Sequence, residues 1–343
     1  MPKPAMPGRL AAGTLLVLVA ALAACDGHDA GEREFVALGT VVTVSAWGVP
    51  DERFAAAATA LERHLNAAGR AWYARAPGEL KQLNSALAAG RGAMVTPALR
   101  DLLSRAAELE QRSRGRFNAC LGRLSETWGF YDLPASPATL PPAAQIAAIL
   151  AARPSCGDLA FDAGSGVVSS PNRLVAVDVG GIAKGALLAD AAEILRDHGI
   201  ENAIVDLGGD LIVLGRVAGR AARIGIRAPG GGAPLAGLEA QPGEAVMTSG
   251  NYERYVTIDG ERYAHVLDPV TGRPVAHTAS VTVVHGDPVL ADAAATALLV
   301  GGPDAFDELV AALGLEYALL VAVNGDTRLT SGMAERLHWS QND

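Results

Sequence analysis

The chain has 343 residues, of which 50% are apolar, so it can bury the core of one large domain or of two closely packed ones. Its formal net charge is −9, and it contains no run of lysine or arginine that could follow a phosphate backbone. Nucleic acid is therefore excluded as a partner.

The first 25 residues have the features of a bacterial export signal. Lys3 and Arg9 precede an apolar run over residues 10–22, and two alanines stand directly before Cys25. The run is short for a bilayer span, and the segment resembles a bacterial lipoprotein signal, which is cleaved before a cysteine that then receives lipid. The alternative is an N-terminal membrane helix in which the cysteine is incidental.

The lipoprotein resemblance predicts how the whole chain is organised. Residues 1–24 would be removed as a signal peptide, Cys25 would be lipidated, and residues 25–34 would form a polar tether. Asp26 resembles the signal that keeps some lipoproteins at the inner membrane, so the expected location is the periplasmic face of the bacterial inner membrane. Residues 35–343 would then form the folded domain.

Export also bears on the two remaining cysteines. In an oxidising compartment Cys120 and Cys156 could form a disulfide. Two isolated buried thiols are the alternative, because the spacing of these cysteines matches no zinc or redox motif.

The first half of the folded part mixes strands with amphipathic helices. Valine and threonine predict a first strand over residues 35–47. Apolar residues at helical spacing predict helices over residues 53–68 and 97–114, and prolines predict a loop over residues 132–142. The pattern then predicts a helix over residues 143–152, strands over residues 159–162, 166–168 and 174–179, and a helix over residues 183–198.

Strand pairs joined by short turns dominate the second half. Strands are predicted over residues 202–206, 211–214, 223–226, 245–248, 252–258, 279–284 and 317–323. Residues 229–234 predict a turn or flexible loop. One helix is predicted to begin after Asp287, and a last one covers residues 303–313. This order predicts an α+β fold with mixed or mostly antiparallel sheets and packed helices.

The helix after Asp287 carries two neighbouring oxygen-bearing side chains. Asp292 and Thr296 are four residues apart, so a carboxylate and a hydroxyl would project from the same face. Two adjacent oxygens suit a hard cation such as Mg²⁺. Taken alone, the pair has an ordinary alternative, in which Thr296 bonds a backbone carbonyl of its own helix and Asp292 is solvated.

A second pattern places two glycines between a predicted strand and a predicted helix. Gly180 and Gly181 follow Asp178, and Lys184 stands in the first turn of the helix. Such a junction offers backbone N–H groups and the positive end of a helix dipole, so an anionic phosphate could bind there. The spacing matches neither a Walker loop nor a dinucleotide fingerprint, and tight packing is the alternative.

Two more patterns have both a structural and a functional interpretation. His265 stands shortly before a Leu-Asp-Pro loop, and a histidine there could bind a ligand or carry a proton because its ordinary pKa is near neutral. A hydrogen-bonded structural histidine is the alternative. A second glycine pair, Gly208 and Gly209 between Asp206 and Asp210, favours close packing over ligand binding.

Together these patterns occur in the order and approximate spacing of one protein family. The matching stretches are Leu38-Gly39-Thr40, residues 79–84, Gly115-Arg116-Phe117, Trp128-Gly129-Phe130, residues 178–185, Gly208-Gly209, residues 248–254, residues 265–272, residues 280–283, and Ala291-Asp292-Ala293 with Thr296. Over residues 35–330 the chain resembles the ApbE-type flavin transferases, which move FMN from FAD onto a threonine of a protein. The resemblance implies an ApbE-like fold.

The resemblance also implies a set of site residues. For Mg²⁺ these are the backbone carbonyl of Ala183 and the side chains of Asp292 and Thr296. Contacts with FAD are implied for Leu38, Arg116, Phe117, Asn118, Gly180, Lys184, Ala186, His265 and Val266. Asp292 would anchor the cation and could take the proton of the acceptor threonine. His265 is the alternative base, or a donor to phosphate.

The implied reaction is Mg²⁺-dependent transfer of FMN from FAD to a threonine hydroxyl, with release of AMP. The acceptor would be an exported flavoprotein, such as a flavin-carrying subunit of a membrane redox complex. If water replaced the threonine, the protein would be a FAD pyrophosphatase that gives FMN and AMP. The same residues are compatible with a non-catalytic FAD-binding lipoprotein and with a structural assembly factor.

Overall fold

The computed structural model describes residues 30–132 and 139–340. The predicted signal peptide, Asp26, the lipidation site Cys25 and most of the proline-rich loop therefore lie outside the described residues. The predicted tether is wrong in its second part. Ala30 already begins a strand that is paired along its whole length, so residues 30–34 belong to the fold.

Strands and helices are intermixed along the described chain, and eight consecutive strands lie between α6 and α7. The strands are β1 Ala30–Ala37, β2 Thr40–Trp47, β3 Ala93–Met94, β4 Ala160–Phe161, β5 Val167–Ser169, β6 Ala203–Leu207, β7 Asp210–Leu214, β8 Ala222–Ile226, β9 Ala236–Ala240, β10 Ala245–Gly250, β11 Tyr255–Ile258, β12 Glu261–Ala264, β13 Thr278–His285, β14 Tyr317–Ala322, β15 Thr327–Leu329 and β16 Leu337–Trp339. The helices are α1 Asp51–Ala71, α2 Glu79–Ala88, α3 Pro97–Arg112, α4 Gly122–Thr127, α5 Ala143–Ala152, α6 Ala183–Asp197, α7 Pro288–Leu313 and α8 Ser331–Arg336. Short 3₁₀ turns cover Phe130–Asp132 and Cys156–Asp158.

One large sheet organises the molecule. Its strand order is β1-β2-β6-β7-β10-β13-β14-β15, and every neighbouring pair is antiparallel. Smaller antiparallel groups are β3-β5-β4, β8-β9-β16 and β11-β12. The predicted α+β fold with mostly antiparallel sheets is confirmed.

The two faces of the large sheet are covered differently. Helices α1, α6 and α7 pack on one face, and α3 packs against α7 behind them. The other face carries Ile204, Val213 and Val246, which pack against Ile224 and Leu238 of the small β8-β9-β16 sheet. This three-layer arrangement places the N-terminal ends of α6 and α7 against each other and over β7 and β10.

The single first strand predicted over residues 35–47 is wrong, because the segment contains the end of β1, a hairpin turn and the whole of β2. β1 and β2 pair in register from Ala30 opposite Trp47 to Ala37 opposite Thr40. The two residues between them have positive φ, 54° at Leu38 and 75° at Gly39, as a tight two-residue hairpin turn requires. Leucine is rare in that conformation, so Leu38 does not indicate a turn. The surrounding Val and Thr residues therefore predicted one continuous strand.

The strand predicted over residues 174–179 is also wrong. The segment is extended, but it forms only an isolated parallel bridge between Leu121 and Ala176. The backbone of Val177 bonds a side chain instead of a strand: its N–H donates to Asn84 Oδ1 at 2.7 Å, and Asn84 Nδ2 donates to its carbonyl at 2.8 Å. The strand predicted from residue 252 begins only at Tyr255, after a turn.

Helix α7 begins as predicted and contains a break. Asp287 caps it by accepting the Val289 and Leu290 N–H groups at 3.0 and 3.1 Å. Gly302 has φ 67° and ψ −171°, so the regular helix is interrupted there before the segment predicted over residues 303–313. Within the described residues this helix alone is long and apolar enough to cross a membrane, but most of it is buried in the protein core.

Cys120 and Cys156 form a disulfide, which decides between the two interpretations left open by the sequence. Both residues are fully buried. The bridge joins the loop after Phe117 to the 3₁₀ turn Cys156–Asp158, whose Cys156 N–H donates to the buried Glu110 carboxylate at 2.7 Å.

Removing the disulfide should destabilise the protein strongly. The bridge joins residues 36 apart. A cross-link over that distance lowers the entropy of the unfolded chain, and so raises the free energy of unfolding by about 3–4 kcal/mol. We expect Cys120→Ala/Cys156→Ala to lose about that amount in urea unfolding. A loss below about 1 kcal/mol would show that the bridge does not form in solution.

Candidate active site

Two helix N-termini meet at a glycine. The Gly185 N–H, in the first turn of α6, donates to Asp292 Oδ2 of α7 at 2.9 Å. A Cβ at Gly185 would lie 2.7 Å from the Pro288 carbonyl carbon and 2.9 Å from Val289 Cα. Because those atoms are backbone, no rotation of a side chain could relieve the contact. The close approach therefore depends on glycine and fixes Asp292 against the start of α6.

Thr296 lies on the same side of α7 and faces the glycine turn. Its Oγ1 lies 3.2 Å from Ser249 Oγ of β10 and would be 3.1 Å from a Cβ built on Gly181. A Cβ built on Gly181 would also lie 3.4 Å from Phe117 Cε2. The turn before α6, strand β10 and helix α7 therefore converge on Thr296.

The donor set at this junction fits a hard cation. The carboxylate of Asp292, the hydroxyl of Thr296 and the backbone carbonyl of Ala183, which opens α6, are all oxygen ligands of the type that Mg²⁺ selects. In the described part of the chain, no cluster of three His, Cys, Asp or Glu side chains could hold a metal ion. The candidate site therefore combines one carboxylate with a hydroxyl and a carbonyl.

Asp292 is a buried acid whose charge is incompletely compensated. Its residue is 4% exposed, and burial raises the pKa of its carboxyl to about 7, with nearby Lys184 acting in the opposite direction. A cation bound directly to the oxygens of a buried carboxylate stabilises its charged form. This observation supports the predicted cation site.

Lys184 is anchored by an acid that the sequence did not single out. Its ammonium forms an ion pair with Oδ2 of Asp210, whose side chain is 3% exposed. Burial by itself would lower the pKa of Lys184, but the negative charges of Asp210 and Asp292 raise it above its ordinary value. Lys184 is therefore cationic at the helix N-terminus, where an anionic phosphate is expected.

His265 is neutral, and its ring contacts the backbone through Nδ1. Burial and the nearby Arg254 lower the pKa of its imidazole to about 4. Its Nδ1 lies 3.1 Å from the Arg254 carbonyl, which can only accept, so the proton of neutral His265 is on Nδ1. Nε2 then carries a lone pair and can take a proton from a substrate hydroxyl.

The predicted FAD-contact stretch around Phe117 is tied down by several bonds. Phe117 is buried and its N–H donates to Ser113 Oγ at 3.1 Å, while Arg116 Nη1 lies 3.9 Å from Asp268 Oδ1. Asn118 Nδ2 donates to the Pro154 carbonyl, and Asn118 Oδ1 accepts the Cys120 N–H. The Asn118 side chain therefore shapes the loop, and its contact with FAD stays a prediction.

The other predicted contact residues lie on the segments that border the site. Leu38 is at the hairpin turn and packs over Gly69, and the Gly180 N–H donates to Asp178 Oδ1 at 3.0 Å. Ala186 is half-buried in the first turn of α6, and the carbonyl of half-buried Val266 accepts the Val275 N–H. Their contacts with FAD stay predictions.

Sequence reasoning missed residues whose role depends on distant partners. Ser249 belongs to one of the family motifs without an implied role, and it contacts Thr296. Tyr131 donates to Asp178 Oδ2 at 2.8 Å, and no motif pointed to it. Asp210 was predicted to belong to a structural glycine turn, yet it binds Lys184. A charged residue at the start of a buried strand was the available signal for Asp210.

Comparison with known proteins decides the family. The sequence matches the pattern of the ApbE family over residues 38–319. The chain belongs to the ApbE family. A FAD:protein FMN transferase of Rhodobacter capsulatus is 37% identical over 329 residues, which cover 96% of this chain and 62% of that protein. A FAD:protein FMN transferase of Treponema pallidum is 33% identical over 264 residues, 71% of each chain.

Solved ApbE structures share the fold. The ApbE protein of Thermotoga maritima superposes with a TM-score of 0.82 at 28% identity, covering 90% of this chain and 99% of that one. The family resemblance indicated by the motifs is confirmed, and so is the ApbE-like fold. The chain spans less than two thirds of the length of the Rhodobacter capsulatus relative.

Proposed function

We propose that this ApbE-family protein transfers FMN from FAD to a threonine hydroxyl of an exported flavoprotein, with release of AMP, in a Mg²⁺-dependent reaction. The observation that carries the proposal is that Asp292 contacts the first turn of α6 and Thr296 lies against the glycine turn before it. The family membership and the names of the relatives support transfer of FMN from FAD to a protein.

Asp292, Thr296 and the Ala183 carbonyl would hold Mg²⁺, which would neutralise charge on the FAD diphosphate and on the departing AMP. Lys184, held by Asp210, adds a positive charge at the N-terminus of α6, where phosphate oxygens are favoured. The nine residues predicted to contact FAD, of which Leu38 is the first in the chain and Val266 the last, would position the nucleotide.

The transfer itself requires little covalent help from the protein. The acceptor threonine Oγ bonds to the FMN phosphorus, the bond from that phosphorus to the oxygen bridging to AMP breaks, and AMP leaves with that oxygen. The threonine proton goes to Nε2 of His265, which is neutral and free to accept it. Asp292 is the alternative base, but binding a cation would leave its carboxylate less basic.

The test is to incubate the full-length protein with FAD, Mg²⁺ and a candidate acceptor, and then to weigh the acceptor by intact-mass spectrometry. A mass gain equal to FMN minus water is expected, together with one AMP per acceptor. Thr296→Val should reduce the gain, whereas Thr59→Val should leave it unchanged, because Thr59 is exposed and bonds only Arg33 in the described structure. An unchanged acceptor mass across plausible acceptors would contradict transfer.

Omitting the acceptor separates transfer from the competing functions. A pyrophosphatase would convert FAD to FMN and AMP with Mg²⁺ alone, and a non-catalytic FAD-binding protein would leave the dinucleotide intact with and without acceptor. We expect slow cleavage without acceptor and fast cleavage with it. An assembly factor would need no metal, so chelation should leave its activity unchanged.

His265→Asn should reduce kcat for transfer by about 10²–10⁴-fold, the usual contribution of a general base. Because the folded protein holds the pKa of His265 near 4, wild-type kcat at saturating Mg²⁺ and FAD, where bound cation keeps Asp292 deprotonated, should not fall between about pH 7 and 5.5, where an ordinary imidazole would become protonated. FAD affinity of the variant, measured by fluorescence titration, should remain within about threefold. A loss of activity below about tenfold would assign the proton to another group.

We also propose that the protein is anchored at the periplasmic face of the inner membrane by lipid on Cys25, since the first 25 residues resemble a lipoprotein signal. Metabolic labelling with an alkyne fatty acid should label the wild-type protein and not Cys25→Ser. Label on the variant, or none on the wild type, would contradict the anchor.

A further inference from the structure

One ammonium and two buried carboxylates lie at the first turn of α6. Lys184 forms its ion pair with Asp210, and Asp292 contacts the next residue of the same helical turn. Asp292 Oδ2 binds the N–H of Gly185, the residue next to Lys184. The two acids therefore compete for the same cation.

The Asp210 carboxylate is fixed in place, so that it and not Asp292 forms the ion pair with Lys184. Its Oδ1 accepts the Thr248 N–H at 2.7 Å, and its Oδ2 accepts from Lys184. The residue is 2% exposed and opens strand β7 beside β10, so its carboxylate cannot swing away. The Lys184 side chain is 29% exposed, and its four-carbon stem can adopt other rotamers.

We propose that Asp210 is a positioning residue that holds the Lys184 ammonium away from Asp292 and so keeps the Asp292 carboxylate available to a divalent cation. The inference rests on the proposed function, because it assumes the cation site at Asp292 and Thr296. Without Asp210, the ammonium would neutralise Asp292 and compete with the cation for its oxygens. Asp210 thus tunes metal affinity without touching the metal.

Asp210→Asn tests this with little change of shape. Its amide oxygen can keep the Thr248 N–H bond, which turns the NH₂ group toward the Lys184 ammonium. Two donors facing each other repel, so Lys184 should move to Asp292. Asp190→Asn is the matched control, since Asp190 is on α6, the helix of Lys184, and is half-exposed and bonded to His64.

The measurement is Mn²⁺ binding to the full-length protein in detergent, without FAD, by electron paramagnetic resonance. Asp210→Asn should weaken Mn²⁺ binding about tenfold or more, the size of a hydrogen bond to a charged group, and Asp190→Asn should not change it. Adding Lys184→Met to Asp210→Asn should restore binding to within about threefold of wild type. Lys184→Met alone should bind Mn²⁺ at least as tightly as wild type.

Different failures have different meanings. Wild-type protein that binds no Mn²⁺ would contradict the metal part of the proposed function. Wild-type binding with an unaffected Asp210→Asn, or a loss that Lys184→Met does not restore, would overturn the positioning role alone. Lys184→Met keeps the test decisive if Asp210→Asn does not fold, because weakened Mn²⁺ binding by Lys184→Met would also overturn the proposal.

Discussion

Asp292→Asn is expected to reduce FMN transfer by about 10³-fold or more, because an amide is a much weaker ligand for a hard cation than a carboxylate. The variant keeps the side-chain shape and can still accept the Gly185 N–H bond. Burial makes the wild-type charge costly, so without metal the variant should unfold at the same temperature as the wild type or higher. The measurements are transfer rate and thermal unfolding.

Asp190→Asn controls for the loss of one negative charge on the protein and should transfer FMN at the wild-type rate. If Asp292→Asn retained more than about a tenth of the activity, Asp292 would not be a metal ligand. If Asp292→Asn did not fold, the transfer rate of Thr296→Val would be measured instead.

Gly185→Ala should be strongly damaging although it adds only one methyl group. In a helix, alanine normally stabilises relative to glycine by about 1 kcal/mol. Here the added Cβ would overlap the backbone of Pro288 and Val289, and overpacking against backbone should cost about 3 kcal/mol. Relief requires α6 and α7 to move apart, which carries the Gly185 N–H away from Asp292. A displacement of that kind should lower transfer about 100-fold.

Gly286→Ala is the matched control, because nothing lies within 4 Å of a Cβ built there. Its free energy of unfolding in urea should stay within about 0.5 kcal/mol of the wild-type value. A Gly185→Ala variant as stable and active as wild type would show that the two helices are not in close contact.

The parts of the fold that depend on neighbouring residues were predictable from the sequence. The Asp287 cap with Pro288, the helical spacing of α3 and the break before Pro303 are all local signals, and the structure has each of them. The pairing of Asp292 with Thr296 followed from helix periodicity. The resemblance to the family then implied a third ligand, Ala183, which composition and spacing alone did not.

The parts that depend on distant residues were not predictable. A hairpin turn with leucine at positive φ has no sequence signature, so β1 and β2 were predicted as a single strand. The extended segment at Val177 takes its hydrogen bonds from Asn84, which is 93 residues earlier. The pairing of Lys184 with Asp210 requires β7 to lie beside the start of α6, and only the assembled sheet brings them together.

The central claim is that Asp292, Thr296 and the Ala183 carbonyl bind one divalent cation. It is tested most directly by an anomalous difference map from crystals of the protein soaked in Mn²⁺, which accepts the same all-oxygen ligands as Mg²⁺. We expect one strong peak within about 2.3 Å of an oxygen from each of the three residues. A map with no peak there, or with its main peak bound to other residues, would contradict the account.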